Sequence, residues 1–250
     1  MRIRLICCDV FARLAYAEAA VSPHTIDIEL LPMLAHNEPA QLRANLQEAI
    51  NSCAKEDCYN LIVLGYGLCG NAVSGITSPI PLIIPRMHDC CAMFMGSRSR
   101  FLEVFGHRLS TRWRSAGYME RSRNLPGLDY KTLPEYLKTA EEYGEENAEY
   151  VWQTLHPPAE SNEAVYIKTE DDSKVGSLCR QYHQQYIEEM DKIAVQVVNG
   201  DTGWFRRMIN GPWEEEDFFK LYPGYEIMPI YDMNEILSGK EVFDENPGQK

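Results

Sequence analysis

Two continuous apolar runs constrain this chain most. Leu61–Leu64 (LIVL) runs straight into the glycine-rich turn Gly65-Tyr66-Gly67-Leu68-Cys69-Gly70-Asn71, and Ile80–Ile84 (IPLII) lies between Pro79 and Pro85. Each run is too short for a helix and is bounded by turn residues. Such runs suit strands buried on both faces, and strands of that kind belong to parallel sheets covered by helices.

The residues before them follow the same rhythm. Arg2–Cys8 reads as a first strand, Val10–Val21 as an alanine-rich helix, and Ile26–Leu31 as a half-exposed strand. Asn37 can cap a helix that carries Pro39 in its first turn. In that helix Leu42, Leu46, Ile50 and Cys53 fall on one stripe, so Cys53 is expected in the core. After the second run, Asp89 is the expected cap of a single helix, with Cys91, Met95, Phe101 or Leu102, and Phe105 along one side. Strands alternating with helices imply an α/β fold of two Rossmann-like halves with mostly parallel sheets. The halves are expected at 1–106 and 107–235, followed by a polar tail at 236–250. In the second half, His107–Met119 reads as a strand and a turn, and Leu133–Leu155 as a long acidic helix weakened at Gly144. Strands are expected again at Ala164–Lys168, Ile193–Val198 and Phe218–Tyr222, with helices at Leu178–Met190 and Trp204–Ile209.

Charge narrows the partners. A formal net charge of −13 disfavours nucleic acid and anionic membrane surfaces, both of which need clustered Lys and Arg. No apolar stretch reaches the ~18 residues that span a bilayer. The N-terminus carries no small-residue cleavage site after its apolar patch, so a buried strand and a cytoplasmic protein are expected. With 250 residues, the 8 cysteines do not read as the disulfide frame of a small secreted domain. In a reducing compartment they serve as small core residues, metal ligands or nucleophiles.

In open parallel sheets, ligands bind beyond the C-terminal ends of the strands. That rule gathers Cys7 or Cys8, the Gly65–Asn71 turn and His88–Cys90 along one edge. Cys8, Cys69, His88 and Cys90 can supply three sulfurs and one nitrogen, a set that suits Zn2+ and also an iron–sulfur cluster or cuprous copper. A helix N-terminus at Cys90 would favour its thiolate. A metal-free alternative makes Cys69 a nucleophile, with His88 as its base and Asp89 orienting the base. Gly67, Gly70 and Asn71 would then offer backbone N–H groups to an oxyanion or a cofactor. A third alternative is purely structural: small thiols filling strand–loop junctions. Arg86, beside the cluster, can hold an anionic substrate. Gly65-x-Gly67-x-x-Gly70 matches the dinucleotide fingerprint in letters, but a Ser-Gly-Ile-Thr-Ser-Pro break follows at Ser74, so a nicotinamide site is not expected.

These pieces resemble a bacterial and archaeal family catalogued as a domain of unknown function, number sixteen thirty-eight. The resemblance is carried by Cys8-Asp9-Val10, Gly65–Asn71, Pro85-Arg86-Met87-His88-Asp89-Cys90 and Gly96-Ser97-Arg98, then Gly200-Asp201, Gly211-Pro212-Trp213 and Pro223-Gly224. It spans about residues 1–230 and favours Cys8, Cys69, His88 and Cys90 over Cys7 and Cys91 as the metal set. Ser115-Ala116-Gly117-Tyr118 departs from the Thr/Ser-Pro-Gly-Trp turn usual there, which leaves that turn without an assigned substrate role. The resemblance further implies proximity to corrinoid-dependent methylamine methyltransferases. It thereby suggests an enzyme of one-carbon or methyl-transfer metabolism acting on a small molecule. The alternative is an accessory protein that holds a metal or corrinoid cofactor for a partner methyltransferase. A two-fold homodimer is the default assembly. Zinc enzymes that methylate thiols hold their metal with a similar His-x-Cys pair and a distant Cys, on a different fold.

Overall fold

A computed structural model describes all residues except 34–37, 57, 107–110, 122–130, 132–133, 156–162, 170–176, 191–193, 231–234 and 243–250. The expected cap Asn37 and the histidines His107 and His156 lie outside the described residues. The fold is mixed α/β with mostly parallel sheets, and the chain divides into two compact units. The first holds Met1–Val104 together with Gly200–Lys250; the second is Phe105–Asn199.

The first unit is built on a five-stranded sheet. Its strands are β1 (Arg2–Cys8), β2 (Thr25–Leu31), β3 (Leu61–Gly65), β4 (Leu82–Pro85) and β8 (Phe218–Leu221), in the order β2-β1-β3-β4-β8. The first four run parallel; β8 joins β4 antiparallel. Every residue of β3 and β4 is buried, as their unbroken apolar runs require. Between β1 and β2 lie a short 3-10 turn and α1 (Ala12–Ala20). Next, α2 (Pro39–Glu56) buries the predicted stripe of Leu42, Leu46, Ile50 and Cys53.

Beyond β4 the expected single helix is two: α3 (Cys90–Met95) and α4 (Arg98–Phe105). Gly96 separates them in a left-handed conformation, φ 85°, that glycine adopts without a steric cost. A Cβ at Gly96 would also stand 2.4 Å from the Asp201 Cβ, so the break lets the returning chain seat against α3. The Asp201 N–H donates to the Phe94 carbonyl at 3.1 Å. From there α9 (Gly203–Asn210) packs Trp204 and Phe205 around Phe11. The Arg206 guanidinium on α9 donates twice to the Glu18 carboxylate on α1, at 2.8 and 3.1 Å.

The return of Gly200–Lys250 divides the span 107–235 that was expected as one half. The reason is the edge of β4, whose open backbone groups pair with β8. The expected polar tail at 236–250 includes a strand as well: β10 (Leu237–Glu241) pairs antiparallel with β9 (Tyr225–Pro229). Leu237 is fully buried there, as is Ile227.

The second unit holds a parallel sheet of β5 (Arg112–Ser115), β6 (Glu163–Lys168) and β7 (Ala194–Asn199). The turn expected after β5 is a helix, α5 (Ala116–Arg121), whose first turn is held by the Ser115 Oγ accepting from the Tyr118 N–H. The long acidic helix is a pair, α6 (Pro134–Tyr143) and α7 (Glu145–Leu155), broken at Gly144 with φ 81°. Tyr136 and Ala148 pack between them with Trp152. Finally α8 (Ser177–Glu189) lays Tyr186 and His183 against Tyr166 of β6.

Candidate functional site

The order β2-β1-β3-β4 reverses direction between β1 and β3, and the C-terminal ends of strands at such a reversal form a crevice for ligands. Cys8 ends β1, the Gly65–Asn71 turn leaves β3, and Arg86–Cys90 leaves β4. The two latter segments are joined backbone to backbone. Leu68 N–H donates to the Met87 carbonyl at 3.0 Å and Cys69 N–H to the His88 carbonyl at 2.9 Å. Such closeness requires Gly67: a Cβ there would lie 2.5 Å from the Met87 oxygen and 2.8 Å from the His88 carbonyl carbon.

Immediately afterwards the backbone takes a costly path. Cys69, Gly70 and Asn71 have φ of 45°, 67° and 69°, three left-handed residues in succession. Left-handed residues normally occur singly, and a cysteine there is strained by its Cβ. Strain of this kind persists where the surroundings over-determine it, and it concentrates at functional sites. Here the Cys69 N–H bond to His88 and the Ala72 N–H bond to the Cys69 carbonyl, at 3.3 Å, hold both ends of the bend. The Arg43 guanidinium steadies the far side by donating to the Asn71 carbonyl at 2.9 Å.

Three thiols share one electrostatic environment. Burial pushes the Cys8 thiol up to about 12, with Asp9 and Cys69 adding to the rise and hydrogen bonds to the Val10 and Asp9 backbone opposing it. Burial likewise pushes Cys69 up to about 12, opposed by a hydrogen bond to the Gly67 backbone and reinforced by Asp89. Cys90 is raised well above the ordinary thiol range, by burial first and then by Cys69, Cys8, Asp89 and Cys91. The expected help from a helix N-terminus at Cys90 is therefore outweighed by burial; α3 has 6 residues, and its first-turn donor Ala92 N–H is taken by the Asp89 carboxylate at 3.0 Å. All three thiols are protonated at neutral pH unless a cation joins them.

Two side chains of the paired segments carry buried polar atoms with no hydrogen-bond partner: His88 at Nε2 and Tyr66 at its hydroxyl. Buried polar atoms are ordinarily satisfied, so each orphan needs a reason. Burial first, and then the charges of Cys8, Cys7, Cys69 and Asp9, hold the Tyr66 phenol well above its ordinary value. It was not among the residues singled out from the sequence; an aromatic residue between two glycines reads as turn or core until its hydroxyl is seen to be unsatisfied.

The neighbours differ. Cys7 and Cys91 are buried in the core, Cys7 with its Cβ against Gly65. The Arg86 guanidinium turns to the chain that returns beside β4. It donates to the carbonyls of Glu215 (2.7 Å), Glu235 and Leu237 (both 2.5 Å) and lies over the Phe219 ring at 5.3 Å. These contacts give Arg86 a part in holding that chain.

Among the described residues, no group of three or more His, Cys, Asp or Glu side chains is placed so that it could hold a metal ion. Thiols and an imidazole nitrogen are donor types that a soft divalent cation takes. Among the described residues, no helix is long and apolar enough to cross a membrane.

No curated protein and no solved structure matches the chain. A family model described as "Protein of unknown function (DUF1638)" matches residues 30–209. The match takes in the paired segments with Cys69, His88 and Cys90 and leaves Cys8 outside. Spanning more than half of the 250 residues, it places the chain in that family: this protein belongs to DUF1638.

Proposed function

We propose that the first unit is a metal-thiolate protein, with Cys8, Cys69, His88 and Cys90 as ligands for Zn2+ at the strand-end crevice of a Rossmann-like sheet. The observation that carries this reading is the buried, unpartnered Nε2 of His88, on the segment whose backbone is bonded to Cys69. Metal-ligating histidines use one ring nitrogen for the ion, and a buried nitrogen with no other partner is free to do so. The thiols point the same way. A thiol near 12 is almost wholly protonated at pH 7, which disfavours Cys69 as a metal-free nucleophile, whereas a bound cation ionises such a thiol outright.

Bound there, zinc would supply Lewis acidity, and exchange of one of the four protein ligands would open a soft position for a substrate thiol or another small donor. The chain's residues would hold it in the crevice, fixed in register by the Gly67–Met87 and Cys69–His88 contacts. Activation of a small thiol for methyl transfer is the chemistry this reading favours, in a cytoplasmic setting.

The test is elemental analysis with an absorbance spectrum on protein purified without oxygen or chelator. One zinc per chain, absent from Cys69→Ala and His88→Ala variants that fold normally, is the expected result. Iron with broad visible absorption would replace zinc by a cluster. No metal after anaerobic reconstitution would overturn the reading.

A further inference from the structure

The parallel sheet of the second unit ends on β7, and this strand lacks the features that ordinarily guard an open edge. Its residues, Ala194-Val195-Gln196-Val197-Val198-Asn199, carry no charge and no proline, and no bulge interrupts their register with β6. The other strands that border a sheet all carry charge: Asp27 and Glu29 on β2, Arg112 and Arg114 on β5, Lys220 on β8, Glu226 on β9, Lys240 and Glu241 on β10. Among the described residues, β7 pairs with β6 alone, and no backbone group of Ala194–Val198 finds a partner outside that ladder. Ala194, Gln196 and Val197 are exposed, Val197 at 45%. Val195 packs on the cluster of Met119, Ala164, Tyr166 and Tyr186, and Val197, two residues on, shares its face. The free edge thus offers a row of N–H and C=O groups with apolar side chains beside it.

We infer that β7 pairs antiparallel with β7 of a second copy of this chain, joining two three-stranded sheets into one of six strands across a two-fold axis. Backbone chemistry sets the kind of occupant, because a row of unpaired N–H and C=O groups is satisfied by an extended strand. Charge selects the copy. A chain of net charge −13 repels itself over most of its surface, whereas β7 sets no like charges opposite one another. The sequence of the strand also complements itself. An axis perpendicular to the sheet through Gln196 keeps the face that carries Val195 on the same side in both copies. Val195 then lies opposite the partner's Val197, and Ala194 opposite the partner's Val198. The two Gln196 amides meet on the axis, each able to donate and to accept. Moving the axis to Val197 would set Gln196 against the partner's Val198 and Val195 against the partner's Asn199, apolar against polar. The contact is isologous and closes at two chains. No residue of the thiol crevice takes part, so this interface is independent of the metal reading.

Analytical ultracentrifugation of the full-length protein over a concentration series tests this. Wild type should reach the mass of two chains. Val197→Lys puts an ammonium group into the paired strand at a position the single chain leaves exposed. It should keep the circular dichroism of wild type and weaken the dimer about tenfold, since both Val195–Val197 contacts across the axis are lost. Gln196→Cys sets two thiols on the axis, on Cα atoms about 4.5–5.5 Å apart, within the range a disulfide bridges. Mild oxidation should then give a disulfide joining position 196 of both copies, identified by peptide mass spectrometry. A single-chain mass for wild type throughout the series would overturn the proposal and leave the edge to an extended segment of another protein. A dimer unmoved by Val197→Lys, or one in which Gln196→Cys forms no 196–196 disulfide, would also overturn it, because the copies then meet elsewhere. Should Val197→Lys fail to fold, the Gln196→Cys disulfide decides alone.

Discussion

The Cys69 N–H donates to the His88 carbonyl at 2.9 Å, so the residues that leave β3 and β4 form one backbone unit. A thiol on one segment and an imidazole on the other are thereby positioned by main-chain geometry. Side-chain packing has less to do, and substitutions that disturb this contact should act on the site and on stability together.

Gly67→Ala is the sharpest such change. Its methyl group would stand 2.5 Å from the Met87 oxygen, with backbone on both sides unable to yield cheaply. The expected cost is about 2–3 kcal/mol of unfolding free energy, read from urea denaturation. Metal content should fall in parallel, because the paired segments separate.

At Cys69 the backbone and the side chain make opposite demands. Its φ of 45° suits glycine, while its thiol serves the proposed metal. In apo protein, Cys69→Gly should be about 1 kcal/mol more stable than Cys69→Ala, by relief of the left-handed strain. Neither variant should retain metal. Equal stabilities in denaturant titrations would show that the bend carries no strain.

Apo protein should lose stability at alkaline pH. Cys8 and Cys69 hold their protons to about 12 when folded, against 9.0 for the ordinary thiol. The stability this contributes is complete below the unfolded value and is lost as pH rises from there toward the folded value. Each thiol adds a decline of at most about 1.4 kcal/mol per pH unit in that window. Thermal unfolding of apo wild type and of Cys8→Ala between pH 8 and pH 11 measures the slope, which should be shallower in the variant.

Metal binding should release protons. With three thiols protonated beforehand, roughly three protons per ion are expected at neutral pH. Calorimetry in buffers of different ionisation enthalpy counts them. Release near zero would mean that the thiols do not ligate.

Arg86→Lys should affect the fold before the ligand. The guanidinium donates through two of its nitrogens to carbonyls of Glu215, Glu235 and Leu237, a fork that an ammonium group does not reproduce. A loss of about 1–3 kcal/mol is expected in denaturant titrations, with metal affinity unchanged. Unchanged stability with weakened ligand binding would return Arg86 to the substrate role.

What the sequence by itself determined is local. Unbroken apolar runs dictated that β3 and β4 be buried on both faces, and the spacing of Leu42, Leu46, Ile50 and Cys53 dictated the buried face of α2. Glycine, cysteine and histidine at strand ends marked the crevice for the same reason: a strand's C-terminal end is legible wherever a turn follows it. Tertiary structure decided what depends on distant backbone. Gly96 ends α3 because Asp201, more than a hundred residues later, must approach it, and β8 returns to the first sheet because the edge of β4 offers unpaired backbone groups. The same return takes up Arg86, whose hydrogen-bond donors are drawn to carbonyls that no local pattern locates. The Tyr66 hydroxyl is left without a hydrogen-bond partner by packing that only the whole first unit creates.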